Sequence, residues 1–262
     1  MSGRSNFSVK CLDDPQALCT AAADEFVRAY TAAIEARSVF RVALAGGSTP
    51  CRLHRILTES PYREKISWDQ VEFYFGDERT VHPEHPDSNF RMANDTLLAE
   101  LGIDDSKVHR MCAEQVDLDR AARYYQEIIA DAFGSEAGDP PPSFDLILLG
   151  MGSDGHTASL FPDTSALHEG ERWIVANEVP QLGCSRMTFT YPLINAADRV
   201  VFMVSGAAKA TALCAVLEGP ENLSHCPSQG VAPTPGSLLY LIDQAASEQL
   251  TSETTRLCQG EN

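Results

Sequence analysis

Residues Phe144 to Leu149 read Phe-Asp-Leu-Ile-Leu-Leu and stop at Gly150. A strand with one wet face would alternate apolar and polar residues. This run does not, so it reads as a strand covered on both faces, as in a parallel sheet flanked by helices. In open α/β sheets, ligands bind just beyond the carboxyl ends of the strands. Gly150-Met151-Gly152-Ser153-Asp154-Gly155-His156 follows the run directly. Asp154 and His156 are therefore the first candidates for chemistry, on a loop whose glycines let backbone and ligand approach closely.

The rest of the chain keeps a strand–helix rhythm. Phe7 to Cys11 is expected as a short edge strand, and Asp13 or Asp14 as the cap of a helix over residues 16–37, with Leu18, Ala22, Phe26, Tyr30 and Ile34 on one stripe. Strands are expected at Phe40–Leu44, Trp68–Phe75, Val108–Met111, Trp173–Val175, Met187–Tyr191, Val200–Val204 and Leu238–Ile242. Helices are expected from Pro50 to about Leu57, from Ser88-Asn89 to about Leu101, over Asp117–Phe133, Pro192–Ala196 and Ala207–Leu217, and after Asp243. The stripe Leu118, Ala121, Tyr125, Ile128 and Ala132 marks the buried face of the Asp117–Phe133 helix. The Gly- and Pro-rich segments 134–143 and 219–237 read as loops. The expectation is an α/β fold of three layers, with a mainly parallel sheet and helices on both faces. It is taken as one domain over residues 1–262, with a core of about 5–250 and short polar termini.

Several strand ends carry small or polar residues that a shared sheet edge would bring together. Gly46-Gly47-Ser48-Thr49-Pro50 follows a strand and opens a helix, so its free amides and hydroxyls suit an anion. A tight turn with a Ser or Thr cap explains the same residues. Asp77-Glu78-Arg79 ends another strand, where Arg79 suits a carboxylate, a phosphate or a developing oxyanion. A surface charge cluster is the plainer explanation. His156 suits acid–base work near neutral pH, with Asp154 to orient it, against a loop histidine bonded to backbone. Arg186 and Lys209 each stand near a strand end and suit a phosphate, or are simply solvated.

Ser48 lacks the G-x-S-x-G elbow of a nucleophile. His82 and His85 form a His-x-x-His pair without an evident third ligand, so no metal is expected. His54, His109, His168 and His225 have no supporting context.

The net charge of −17 argues against nucleic acid and demands a local cluster of cations if the ligand is a phosphate ester. No run approaches the roughly 20 apolar residues of a membrane span. The eight cysteines form no C-x-x-C pair, and residues Met1 to Lys10 contain no apolar signal core. Free thiols in the cytoplasm are expected.

Ala45–Pro50, Gly76–Arg79, Asp87–Phe90, Gly150–Pro162, Arg186–Thr190, Pro192–Asn195 and Gly206–Ala210 together resemble the 6-phosphogluconolactonase family, over roughly residues 5–250. Asp154-Gly155-His156-Thr157-Ala158-Ser159-Leu160-Phe161-Pro162 is the most specific string; Tyr240 departs, standing where the family commonly has Trp. The resemblance implies a Rossmann-like α/β fold and hydrolysis of 6-phospho-D-glucono-1,5-lactone to 6-phosphogluconate in the oxidative pentose phosphate pathway, with no nucleotide, other cofactor or metal. For that reaction His156 is expected as the base that activates water, Asp154 as the group that orients the loop or holds a sugar hydroxyl, and Arg79 or the glycine-loop amides of Gly46 and Gly47 at the oxyanion. Ser48, Thr49, Arg186 and Lys209 become phosphate contacts, with Asp77 and Asn89 among the substrate-binding groups. The partner is then a small sugar-phosphate lactone, and the chain a monomer or weak homodimer. Glucosamine-6-phosphate deaminases share this fold but typically carry Asp-Glu-Tyr at Asp77-Glu78-Arg79 and Phe-Asn-Glu-Pro at Ser159-Leu160-Phe161-Pro162. Phe161 thus stands where their acid–base glutamate is, which argues for the lactonase. A deaminase or a non-catalytic sugar-phosphate sensor are the alternatives.

Overall fold

The computed structural model describes residues 7–136, 138–251 and 254. Residues 5 and 6 of the expected core, the ends of the chain and Cys258 lie outside the described residues.

The strands are β1 (Phe7–Leu12), β2 (Phe40–Leu44), β3 (Val71–Phe75), β4 (Asp77–Arg79), β5 (Leu146–Leu149), β6 (Ile174–Val179), β7 (Cys184–Phe189), β8 (Arg199–Val204) and β9 (Ser237–Asp243). Six of them form one sheet in the order β1-β9-β8-β5-β2-β3, and every pairing in it is parallel. Every residue of β5 is buried. Because successive side chains point to opposite faces, both faces of the sheet are covered there, as the apolar run requires. The chain moves from β2 outward to β3 and then returns to β5 on the other side of β2. That reversal opens a crevice at the carboxyl ends of β2 and β5, the place where such sheets bind ligands.

Local signals set the helices. Asp14 accepts from the amides of Gln16 and Ala17, both at 2.8 Å, and starts helix α1 (Pro15–Arg37) with Pro15 in its first turn. Leu18, Ala22, Phe26 and Tyr30 of α1 are buried and Ile34 partly so, and α1 packs against β1, β2, β8 and β9. Helix α2 (Ser48–Thr58) starts after Gly47, at φ 107°, with no side-chain cap. In helix Leu118–Phe133 the buried stripe is Ala121, Ala122, Tyr125, Ile129 and Ala130. It is turned from the expected one because Ile129, not Ile128, continues the row from Tyr125. The Tyr125 hydroxyl accepts from Phe75 N at 3.0 Å and donates to His109 O at 2.8 Å. It thereby takes up the backbone amide of the last residue of β3.

Several expectations change: the strands expected at Trp173–Val175 and Met187–Tyr191 are β6 and β7, and Tyr191 instead starts a helix, Tyr191–Asn195. Trp68–Gln70 is a 3₁₀ turn, and β3 begins only at Val71, where pairing with Phe40 starts. Val108–Met111 makes a single bridge, Val108 to Phe73, instead of a strand. Most importantly, Asp77–Arg79 is not a loop at the end of a strand. It is β4, part of a second, antiparallel sheet in the order β4-β7-β6. Gly76 joins the two sheets: its amide donates to Leu44 O at 3.0 Å, and its carbonyl accepts from Phe189 N at 2.8 Å.

The helix expected to reach Leu101 carries a π turn at Asn94–Leu98, between α-helical segments Asn89–Ala93 and Ala99–Leu101. Thr96 Oγ1, in that turn, donates its one proton to Met92 O at 2.6 Å. Its 2.9 Å contact with Nδ1 of the fully buried His54 must therefore be donated by the imidazole. Burial pushes the His54 pKa down to about 3. No helix among the described residues is long and apolar enough to cross a membrane.

His54 makes stability depend on pH. Its native pKa lies below the unfolded value of about 6.5, so the unfolded chain takes up a proton that the native one refuses. The contribution is whole above pH 6.5 and is lost progressively towards pH 3. Between pH 7 and 5 it amounts to about 2 kcal/mol. Urea unfolding of the parent and of His54→Gln at both pH values should show the variant losing less stability by about that amount; parallel losses would refute it.

Candidate active site

The crevice is built from the loops after β2, β5 and β8 and from β4. After β2, the glycine loop comes close to helix Asn89–Ala93. A Cβ on Gly46 would lie 1.9 Å from Asn89 Oδ1, so only glycine fits. Asn89 Nδ2 donates to Asp77 O at 2.9 Å and Asp77 Oδ1 at 3.1 Å, and Ser159 Oγ donates to Asp77 Oδ2 at 2.7 Å. The Asp77 carboxylate is thus buried but hydrogen-bonded on both oxygens. Glu78 faces the other way. It accepts from the amides of Arg79, Asn89 and Phe90, each at 2.8 Å, and from Ser88 Oγ at 3.0 Å. Burial raises the Glu78 pKa, and those amides offset part of the effect. The acidic pair divides its work: Glu78 caps a helix, while Asp77 lines the crevice.

After β5, His156 Nδ1 lies 2.6 Å from Asp154 Oδ1, which also accepts from His156 N at 3.2 Å. Burial alone would raise the Asp154 pKa. The hydrogen bonds and charge of His156 outweigh it and hold the carboxyl below its ordinary value. Asp154 therefore stays ionised at neutral pH and accepts from Nδ1, so that the neutral form of the ring carries its lone pair on Nε2. The pair exists because residue 152 is glycine: a Cβ there would lie 2.1 Å from His156 Nδ1 and 2.3 Å from Asp154 Oδ1. Gly152 N donates to His156 O at 2.8 Å, and Thr157 Oγ1 donates to Gly150 O at 2.9 Å, closing the loop on itself. From the far side, Ser228 donates to Gly155 O through both N, at 3.0 Å, and Oγ, at 2.8 Å.

These loops enclose a cavity of about 300 Å³. Gly46, Gly47, Ser48, Thr49, Asp77, Arg79, His156 and Lys209 all line it. Asp154 stands behind His156, and Asn89 stands behind Gly46. Arg79 Nη1 is steadied by Asp87 O at 2.7 Å. Arg186 is placed differently. It pairs across from Arg79 in the ladder, but it does not line the cavity, and its Nη1 donates to Cys184 Sγ at 2.9 Å and Ser185 O at 3.1 Å.

Sequence reasoning missed Ser205, which lines the cavity and donates to the buried Asp243 at 2.5 Å. In the sequence Asp243 shows only as a helix cap. It caps that helix through Ala246 N and also holds Gly206 N at 3.0 Å. Ser228, inside a loop without motif, carried no signal. His82 and His85 accept from the amides of Glu84 and Asp87, as local turn residues do. Among the described residues no group of three His, Cys, Asp or Glu is arranged to hold a metal.

A uncapped helix N-terminus, two cations, a fixed carboxylate and an oriented imidazole thus face one small space. That set can hold a phosphate, bind hydroxyls and activate water. A family model described as glucosamine-6-phosphate isomerases/6-phosphogluconolactonase matches residues 13–240. The chain is 42% identical over 220 residues to a 6-phosphogluconolactonase of Synechocystis sp., covering 84% of this chain and 88% of that protein. It is 38% identical over 244 residues to a 6-phosphogluconolactonase of Nostoc sp., covering 93% and 98%. A solved structure of 6-phosphogluconolactonase from Trypanosoma cruzi superposes with a TM-score of 0.83 at 26% identity, covering 95% of this chain and 98% of that one.

In Gly152→Ala the added methyl must push the imidazole and carboxylate apart. The Nδ1 proton of His156, protected in the parent by its bond to Asp154, is expected to exchange fast and vanish from the low-field NMR spectrum while the melting profile stays cooperative. A persisting signal would show that the loop absorbs the methyl elsewhere.

Proposed function

The chain belongs to the glucosamine-6-phosphate isomerase/6-phosphogluconolactonase family, and from that premise we infer that it hydrolyses 6-phospho-D-glucono-1,5-lactone to 6-phospho-D-gluconate in the oxidative pentose phosphate pathway. One observation carries the chemistry: the Asp154–His156 pair and the open N-terminus of α2 line or border the same cavity. The phosphate is assigned to the Ser48 and Thr49 end of α2 with Lys209, where helix amides and an ammonium favour an anion. Asp77, fixed by Asn89 and Ser159, accepts from a sugar hydroxyl.

The lactone carbonyl then faces His156. Nε2 takes a proton from water as the water oxygen adds to C1. Negative charge moves to the carbonyl oxygen, where the Arg79 guanidinium or the amides of Gly46 and Gly47 stabilise it. The ionised Asp154 stabilises the imidazolium that forms. When the tetrahedral intermediate collapses, the bond from C1 to the ring oxygen breaks, and the imidazolium returns its proton to that oxygen. No proton leaves carbon, so one base and one anion site suffice.

The chain is read as a monomer or weak homodimer. The seven described cysteines are all unpaired, in keeping with a reducing compartment such as the cytoplasm.

His156→Asn is expected to lower kcat on freshly prepared lactone by about 10²–10⁴-fold, after correction for spontaneous opening, with the fold intact. A near-parental rate would remove His156 as the base. Lys209→Ala should act mainly on KM, since it removes a charge from the unreacting end of the substrate; an unchanged KM would take Lys209 out of the phosphate site. Glucosamine 6-phosphate should release no ammonia, and release would favour the deaminase instead.

A further inference from the structure

The imidazole of His156 has a second neighbour that the mechanism above does not use. The Phe161 ring stacks on it, with centroids 4.0 Å apart and planes inclined by 26°. Phe161 is 6% exposed and does not line the cavity, so it touches the base and not the substrate.

We propose that Phe161 is a positioning residue: it fixes the plane of the His156 ring, as Asp154 fixes its edge, and so aims Nε2 at the attacking water. One hydrogen bond at Nδ1 sets a direction but leaves the ring free to turn about the N–H···O axis. A flat partner against one face removes that rotation. A base misplaced by about 1 Å loses on the order of 10²-fold in rate, so the second restraint matters.

Phe161 is itself held by the second sheet. Its carbonyl accepts from Thr164 Oγ1 at 2.8 Å and Thr164 N at 3.3 Å. The fully buried Asn177, on β6, donates through Nδ2 to Thr164 Oγ1 at 3.0 Å and Ser159 O at 2.8 Å. Gln181 Nε2 donates to Pro162 O at 2.6 Å. A saturated network of this kind is rigid. The imidazole is therefore oriented from two sides: by its own loop through Asp154, and by the antiparallel sheet through Asn177, Thr164 and Phe161.

This inference rests on His156 being the base, and the test separates the two. Phe161→Leu keeps most of the volume and loses the flat face; Phe161→Tyr keeps the face. With melting temperatures near the parent's, the Leu variant should lose about 10–100-fold in kcat while KM stays within about threefold. The Tyr variant should stay within about threefold of the parent. Ring current from Phe161 should also displace the His156 Cε1–H NMR signal upfield in the parent and in the Tyr variant, and the Leu variant should lose that displacement. A folded Leu variant with parental kcat, equal losses in Leu and Tyr, or an undisplaced parental signal each overturns the proposal. The parental spectrum decides even if both variants misfold. Should the parent not open the lactone at all, the functional reading fails, while the spectrum still reports whether Phe161 holds the ring.

Discussion

At Gly76 the chain leaves one sheet and enters another within a single residue. Its amide completes the ladder to β2 at Leu44 O, and its carbonyl opens the ladder to β7 at Phe189 N. Both bonds are made on one peptide pair, so the carboxyl end of the parallel sheet and the start of the antiparallel one cannot move apart. Asp77 and Arg79 consequently stand beside the glycine loop after β2. β5 pairs with β2 through Val42–Leu146 and Ala43–Ile147, which puts the Gly150–His156 loop on the other flank. The crevice is the meeting of three chain segments that have no room to drift.

Its walls are polar groups taken out of water, which costs stability unless each finds a partner. They do. Asp77 is met by Asn89 and Ser159, Glu78 by three amides and Ser88, Asp243 by Ser205, Gly206 and Ala246. The network links loops that are distant in sequence, because Asp77 is met by Ser159, Glu78 by Ser88, Asn89 and Phe90, and Asp243 by Ser205 and Gly206. Removing one donor leaves a buried carboxylate short of a bond, so Ser88, Asn89 and Ser159 bear on the geometry of the cavity without lining it. Glycine does the complementary work. At 46 and 152 the missing Cβ is the space in which Asn89 and the His156–Asp154 pair sit.

What could be read from the chain alone follows from how local each signal is. β2, β5 and α1 were legible because an apolar run or a stripe with an Asp–Pro start is written in consecutive residues. The cavity's glycine loop, Asp77, Arg79, His156 and Lys209 were legible because strand ends in a parallel sheet share an edge. β4 was not. Its three residues are all charged, and its partner β7 lies about a hundred positions away, so only tertiary contact makes it a strand. The orientation of Arg186 was hidden for a related reason: a long side chain on the right strand still chooses among acceptors, and here it takes Cys184 and Ser185. Ser228 and the stacking of Phe161 depend on folding distant loops together. A glycine's identity is visible in sequence, but which atoms need its space is not.

The charge balance bears on turnover as well as on binding. The chain carries −17 overall, while the cavity presents Arg79 and Lys209 with the positive end of α2. In the proposed reaction, Lys209 and the α2 terminus take the substrate's phosphate, while Arg79 or the Gly46 and Gly47 amides take the carbonyl oxygen. Hydrolysis then adds a carboxylate at the reacting end of the ligand, beside His156, whose Nδ1 is held by the ionised Asp154, in a cavity that Asp77 also lines. The product therefore has one more negative charge than the substrate. Like charges at close range in a partly desolvated cavity repel more strongly than in water. On that reading Arg79, which stabilises the developing oxyanion, also attracts the new carboxylate, whereas Asp77 and Asp154 repel it, so the groups that assist hydrolysis also set how firmly the product is held.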